Sequence, residues 1–175
     1  MKRYLSLFLL MISLAALASA DEPNAAPTDL GRVWQVQRNQ NLVQELVEGG
    51  LHLAQAEDHL QRARCCNELA THLAEEIRQA ADDHDGDRAV ELGRHLQDVL
   101  QNGVAVNLNK ERAQVPHGST RETEMNSVRI QTGDITAHLL KELDQILKDN
   151  PAALEQVLQA IQEAQAAVAA AGKGK

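Results

Sequence analysis

Aromatic residues are nearly missing from this chain of 175, which holds one tryptophan, one tyrosine and one phenylalanine. Tyr4 and Phe8 both sit in the opening apolar run, so Trp34 is the single Trp, Tyr or Phe in the rest of the sequence. Sheet cores and enzyme pockets usually draw more heavily on aromatic side chains. The expected interior is therefore Leu, Val, Ile and Ala, the composition of packed helices whose small side chains let backbones come close. Cysteine is almost as scarce, with only Cys65 and Cys66. Basic residues are outnumbered, 17 Lys and Arg against 25 Asp and Glu for a formal charge of −8. That balance makes nucleic acid and anionic membrane poor partners. A Gly-x-Ser-x-Gly elbow, a phosphate loop, a His-Glu-x-x-His zinc motif, a Cys-x-x-Cys pair and paired catalytic carboxylates are all absent, which weighs against catalysis.

What is present begins with Lys2 and Arg3, an apolar segment from Tyr4 to Leu17, and Ala18-Ser19-Ala20. A basic start, an apolar middle and a small-x-small end form a secretory signal peptide over residues 1–20. The apolar run is shorter than the roughly 20 residues a membrane-spanning helix needs. No cysteine lies near the cut, so a lipid-anchored form is not expected. Cleavage leaves 155 residues, one domain's worth, with 15 basic against 25 acidic residues and a formal charge of −10. Export to the periplasm or beyond is the expected localisation, with no stable membrane insertion afterwards.

Residues 21–28, with Pro23 and Pro27, read as a flexible leader. Thr28 or Asp29 can cap a first helix whose apolar side is Leu30, Val33, Trp34, Leu42, Val43, Leu46 and Val47. Gly49-Gly50 weakens helicity, yet Leu46, Gly49, Leu53 and Ala56 keep heptad step across it, so a bend and a straight passage are both open. From Leu51 to Asp82 the spacing predicts one long helix with the stripe Leu53, Ala56, Leu60, Ala63, Ala70, Leu73 and Ile77. The acidic run from Asp82 to Asp87 stops it, with Gly86 offering a left-handed position and Asp87 a cap for the next helix. The third stripe is Ala89, Leu92, Leu96, Val99, Val106 and Ala113, with Gly103 in register, ending at Gly103 or near Ala113. Ser119-Thr120-Arg121-Glu122 is a capping box that opens a fourth helix, carried by Met125, Val128, Ile135, Leu139, Leu143 and Ile146 to Lys148. Asn150 and Pro151 begin a fifth, with Leu154, Val157, Leu158, Ile161, Ala164 and Val168 inward, and residues 172–175 form a frayed, disordered basic tail. Long helices alternating with short turns predict an all-α fold: an elongated antiparallel bundle of four to five helices with coiled-coil-like packing, one domain over residues 29–171.

The residues with most chemical promise are Cys65 and Cys66, with His52, His59 and His72 at heptad distance from one or the other. Neighbours on a helix diverge by about 100°, so the two thiols are not expected to bond each other. Three uses are open: Cys66 as a small buried hydrophobe, an intermolecular disulfide, or a transition-metal site formed by Cys65, Cys66, His59 and His72. Residues two turns apart lie about 10 Å from one another, so such a site needs a second helix to help. A cysteine nucleophile with His59 or His72 as base lacks both reach and an oxyanion hole. Asp83-x-Asp85-Gly86-Asp87 resembles the middle of a calcium loop but would place Ala81 and Leu92 where strong ligands belong. No cofactor is expected unless the metal reading holds. The sequence thus predicts an exported, non-enzymatic bundle acting through a protein partner or a homodimer, in an accessory, scaffold or sensor role in the cell envelope. The alternative is a periplasmic metal sensor or buffer built on Cys65, Cys66 and the nearby histidines.

Overall fold

The computed structural model describes residues 29–171; the expected signal peptide (1–20), leader (21–28) and tail (172–175) lie outside the described residues. Helices α1 (Asp29–Gln55), α2 (His59–Asp82), α3 (Gly86–Asp98), α4 (Val106–Arg112), α5 (Thr120–Ile146) and α6 (Pro151–Ala170) follow in order. A π-helical stretch, Val99–Ala105, joins α3 to α4 without leaving right-handed helical backbone, so five rods pack together. There is no strand among the described residues. The chain divides into two compact units, residues 1–37 and Arg38–Lys175, and only the opening turns of α1 are described in the first. Inward placement of Leu30, Val33 and Trp34 falls outside the described side chains.

The expected helix from Leu51 to Asp82 is two helices, and the break is not at the glycines. α1 passes straight through Gly49-Gly50 and stops at Gln55. A side chain at Gly49 would overlap Leu69 of α2, so this glycine marks a close approach of two helices. The interruption is made at Asp58, whose carboxylate accepts the Gln61 backbone N–H at 2.7 Å, while Gln61 Oε1 accepts the Glu57 N–H at 2.9 Å. This reciprocal cap satisfies two helix-terminal donors at once and starts α2 afresh.

α2 ends in a Schellman turn: Asp85 N–H reaches Ala80 O at 2.8 Å and His84 N–H reaches Ala81 O at 3.0 Å. The left-handed residue is His84, at φ +59°, not Gly86 as expected. Gly86 instead begins α3, pressed against Asn150 and Ala153, and Asp85 rather than Asp87 caps it by accepting the Arg88 N–H at 3.1 Å.

Through the π stretch the inward stripe advances by fours, as Leu92, Leu96, Leu100, Val104 and Leu108, all buried. A π turn holds one residue more than an α turn and rotates the helix beyond it. Val106 and Ala113, expected inward on an unbroken heptad, consequently face solvent, and Ala105 and Glu111 are buried in their place. Most of the other stripe residues fall as expected: Leu60, Ala63, Ala70, Leu73 and Ile77 of α2, Met125, Val128, Leu139 and Leu143 of α5, and Val157, Ile161, Ala164 and Val168 of α6 are buried, while Ile135, Ile146, Leu154 and Leu158 are half-buried.

Four rods form the core in the cyclic order α2, α3–α4, α6, α5. The short turns make α2 and α3 antiparallel, and likewise α5 and α6. The other two sides pair helices of like direction. Arg64 meets Glu124 and Asn67 meets Thr132 along α2 and α5, while Arg94 meets Gln156 and Gln97 meets Glu163 along α3 and α6. This arises from residues 113–119, which carry the chain across the diagonal of the bundle instead of to an adjacent corner. One polar layer crosses the core: the Thr132 hydroxyl shares its proton between Asn67 Oδ1 at 2.7 Å and Val128 O at 2.9 Å. Thr136 bonds to Thr132 O at 2.9 Å.

Candidate functional site

The four residues considered for metal binding are spread over α2 and engaged separately. Cys66 is 4% exposed and faces Gly103 of the π stretch, where a methyl group would fall 2.7 Å from its Sγ. Burial, and then the neighbouring Cys65, push its thiol up to about 11. Cys65 is half-buried, its thiol also raised, first by burial and then by Glu68. Both cysteines are free thiols. His59 Nδ1 lies 3.2 Å from Asn107 Oδ1, and the Asn107 amide donates to Gly103 O at 2.8 Å, closing the wide turn. His72 points the other way, to Glu45 of α1 at 3.1 Å. No group of three or more His, Cys, Asp or Glu side chains is arranged to hold a metal ion among the described residues. A raised thiol is the reverse of what a nucleophile or thiolate ligand needs.

The open grooves are shallow. The one between α5 and α6, about 260 Å³, is lined by Ile130, Thr132, Gly133, Val168 and Ala169 with Arg129 and Gln165 at its rim. A second, of about 330 Å³, lies beside His84, Ile146, Asp149 and Asn150.

Charged groups are concentrated where helix ends meet. Arg121 donates to Glu111 Oε1 at 2.6 Å and pairs with Asp58 at 2.6 Å, tying the starts of α2 and α5 to the end of α4. The Asp58 carboxyl is held below its ordinary range by the Arg121 hydrogen bond and then by the Gln61 N–H. Beside it Arg112 pairs with Glu122 at 2.9 Å. Ser119 Oγ accepts the Glu122 N–H at 3.2 Å, as the capping box predicts, but the Glu122 carboxylate reaches the N–H of Gly118. At the opposite end Arg88 joins Glu76 at 3.2 Å and Asn39 of α1 at 2.8 Å. These groups hold helices in place.

No protein-family model, curated protein or solved structure matches the chain. No described helix is long and apolar enough to cross a membrane.

The remaining feature is an apolar face that helical spacing alone places inward. Of the apolar residues expected to turn α1 inward whose side chains are described, only Leu42 and Leu53 pack against the core, and both stay half-buried. Val43 is 58% exposed, Val47 46%, Leu51 56% and Leu46 38%. α1 carries two heptad seams side by side. Leu42, Leu46, Gly49, Leu53 and Ala56 step by 4, 3, 4 and 3 along the bundle side, and Gln40, Val43, Val47, Gly50 and Ala54 step by 3, 4, 3 and 4 along the solvent side. Both spacings are readable in the letters, but one helix cannot turn both toward the same neighbour. The geometry of Gly49 on Leu69 and Glu45 on His72 selects the first.

Proposed function

We propose that this is an exported, non-enzymatic helical-bundle protein that acts by docking another protein chain, in a scaffold, accessory or sensor role in the cell envelope. The observation that carries the reading is the uncharged, solvent-facing seam of α1, with exposed Val43 and Val47 and with Leu46 and Leu51 at its edges, on a bundle whose core is already filled by α2 to α6. A face of large aliphatic residues left to water on a small domain is the usual mark of an interaction surface. The buried Cys66 thiol, the dispersed histidines and the helix-tying role of the ion pairs support binding over turnover. Export rests on the Lys2-Arg3 start, the apolar run and Ala18-Ser19-Ala20.

The test is site-specific photo-crosslinking in living cells, with a photoreactive residue at Val43, Val47 or Leu51 and, for comparison, at Gln159 on the exposed side of α6. Adducts at the α1 positions and none at Gln159 support docking through α1. A chain that crosslinks at none of the three α1 positions ends the proposal. Periplasmic extraction of the same cells, with the mature chain beginning at Asp21, tests export.

A further inference from the structure

We infer that the occupant of the solvent-facing α1 seam is the same seam of a second copy, in antiparallel register about a two-fold axis. This rests on the docking reading above and names the partner. From Asn39 to Ala56 only Glu45, Glu48 and His52 can ionise, and none lies at a seam or flanking position. Glu45 is paired with His72 at 3.1 Å and Glu48 accepts from Gln44 at 2.9 Å. The seam positions themselves thus offer no counter-charge, the nearest carboxylate, Glu48, being held by Gln44 beside the edge, and what fits the seam is another uncharged helix with the same 3–4 spacing.

The seam is its own complement when reversed. With the axis beside Glu45, Val43 of each copy meets Val47 of the other, and Gln40 meets Gly50, the longest side chain set against the position that has none. Leu46 then lies beside its own symmetry mate on one edge and Gln44 beside its mate on the other. All these side chains except Gly50 are exposed in the single chain, so nothing in the bundle has to move. A parallel dimer would instead stack Gln40 on Gln40 and Gly50 on Gly50, wasting the match of large against small. A two-fold, isologous contact also closes on itself and leaves no open end to propagate. For a mature chain of formal charge −10, a strip without charged side chains lets two copies approach with less repulsion than a charged one.

The experiment is sedimentation velocity of the purified mature chain, residues 21–175, from about 1 to about 100 µM, beside Val43→Asp/Val47→Asp and the single variants Leu46→Cys and Val43→Cys under mild oxidation. Because Val43 and Val47 are exposed, the Asp pair should leave circular dichroism and the urea midpoint of the monomer unchanged. The expected results are a dimer in the native chain and at least about a tenfold loss of association in the Asp variant. Leu46→Cys should form a crosslinked dimer joined at residue 46, identified by peptide mass, while Val43→Cys should not join at residue 43. A native chain that is monomeric throughout overturns the proposal, as does a dimer indifferent to the Asp pair. A crosslink at Val43→Cys without one at Leu46→Cys reverses the helices and overturns the register. If photo-adducts at Val47 in cells contain a different protein and never a doubled chain, docking through α1 stands and self-pairing falls.

Discussion

At Gly103 the missing side chain is what lets α2 lie against the π turn, since a methyl group there would fall 2.7 Å from Cys66 Sγ and 3.0 Å from Cys66 Cβ. Turning the thiol aside would leave the contact with Cys66 Cβ, which is fixed to the α2 backbone. Gly103→Ala should therefore cost about 1–3 kcal/mol of stability by overpacking. Cys66→Ala removes the sulfur that is struck, so the double variant should recover about 1 kcal/mol relative to the sum of the two single losses, measured by urea unfolding. Strict additivity would show that the two residues do not meet. The same burial makes the thiol a source of pH dependence. Cys66 is raised from 9.0 to about 11, so below pH 9 the folded and unfolded chains both keep the proton and its contribution is complete. As pH rises from 9 toward 11, the unfolded chain ionises first and stability is lost, by up to about 2–3 kcal/mol. Cys66→Ala should flatten that part of the stability–pH curve. Alkylation of the folded protein at pH 8 should mark Cys65, which is half-buried, well before Cys66.

At the scale of helices, Arg121 binds the start of α2 and the end of α4 to α5. The Glu111 side chain is only 6% exposed, so Arg121→Met strands a nearly dry carboxylate. The expected loss is about 1–3 kcal/mol, discounted because Arg121 itself is partly in water, and Glu111→Gln in the same chain should restore part of it. The Asp58 carboxyl, lowered from 3.8, adds stability above that value which fades as pH falls through its folded range. Acid unfolding below pH 4 should accordingly be less steep in Arg121→Met. Helix count, helix type and most inward stripes were legible because period and caps agree, as at Asn150-Pro151 and Ser119-x-x-Glu122. The break at Asp58 was not, because Asp58-x-x-Gln61 sits inside an unbroken apolar stripe and only the competition between two continuations decides it. The shift of Val106 to solvent was hidden for a related reason: a π turn leaves no mark in a heptad pattern until the neighbour that demands it, here Cys66 and His59 with Asn107, is known. Among the candidate site residues, Cys66 was legible as buried. The separation of His72 from the thiols depends on α1 crossing α2, which spacing within one helix cannot reveal.

For the whole molecule the decisive quantity is charge. Two mature chains of formal charge −10 repel over the screening length of the solution, about 8 Å near 0.15 M salt. The α1 seam contains no charge that salt could weaken, so added salt acts on the repulsion alone. Raising salt from about 0.05 to about 0.5 M should tighten the dimer several-fold, with no change in the register of the Leu46→Cys crosslink. An interface held by ion pairs would respond in the opposite direction and loosen. The Val43→Asp/Val47→Asp chain should stay monomeric at both salts, because screening lowers the repulsion between charges but does not restore the apolar contact that Asp removes. Sedimentation at the two salts checks this, and a dimer that weakens as salt rises would assign the contact to charged side chains elsewhere on the bundle.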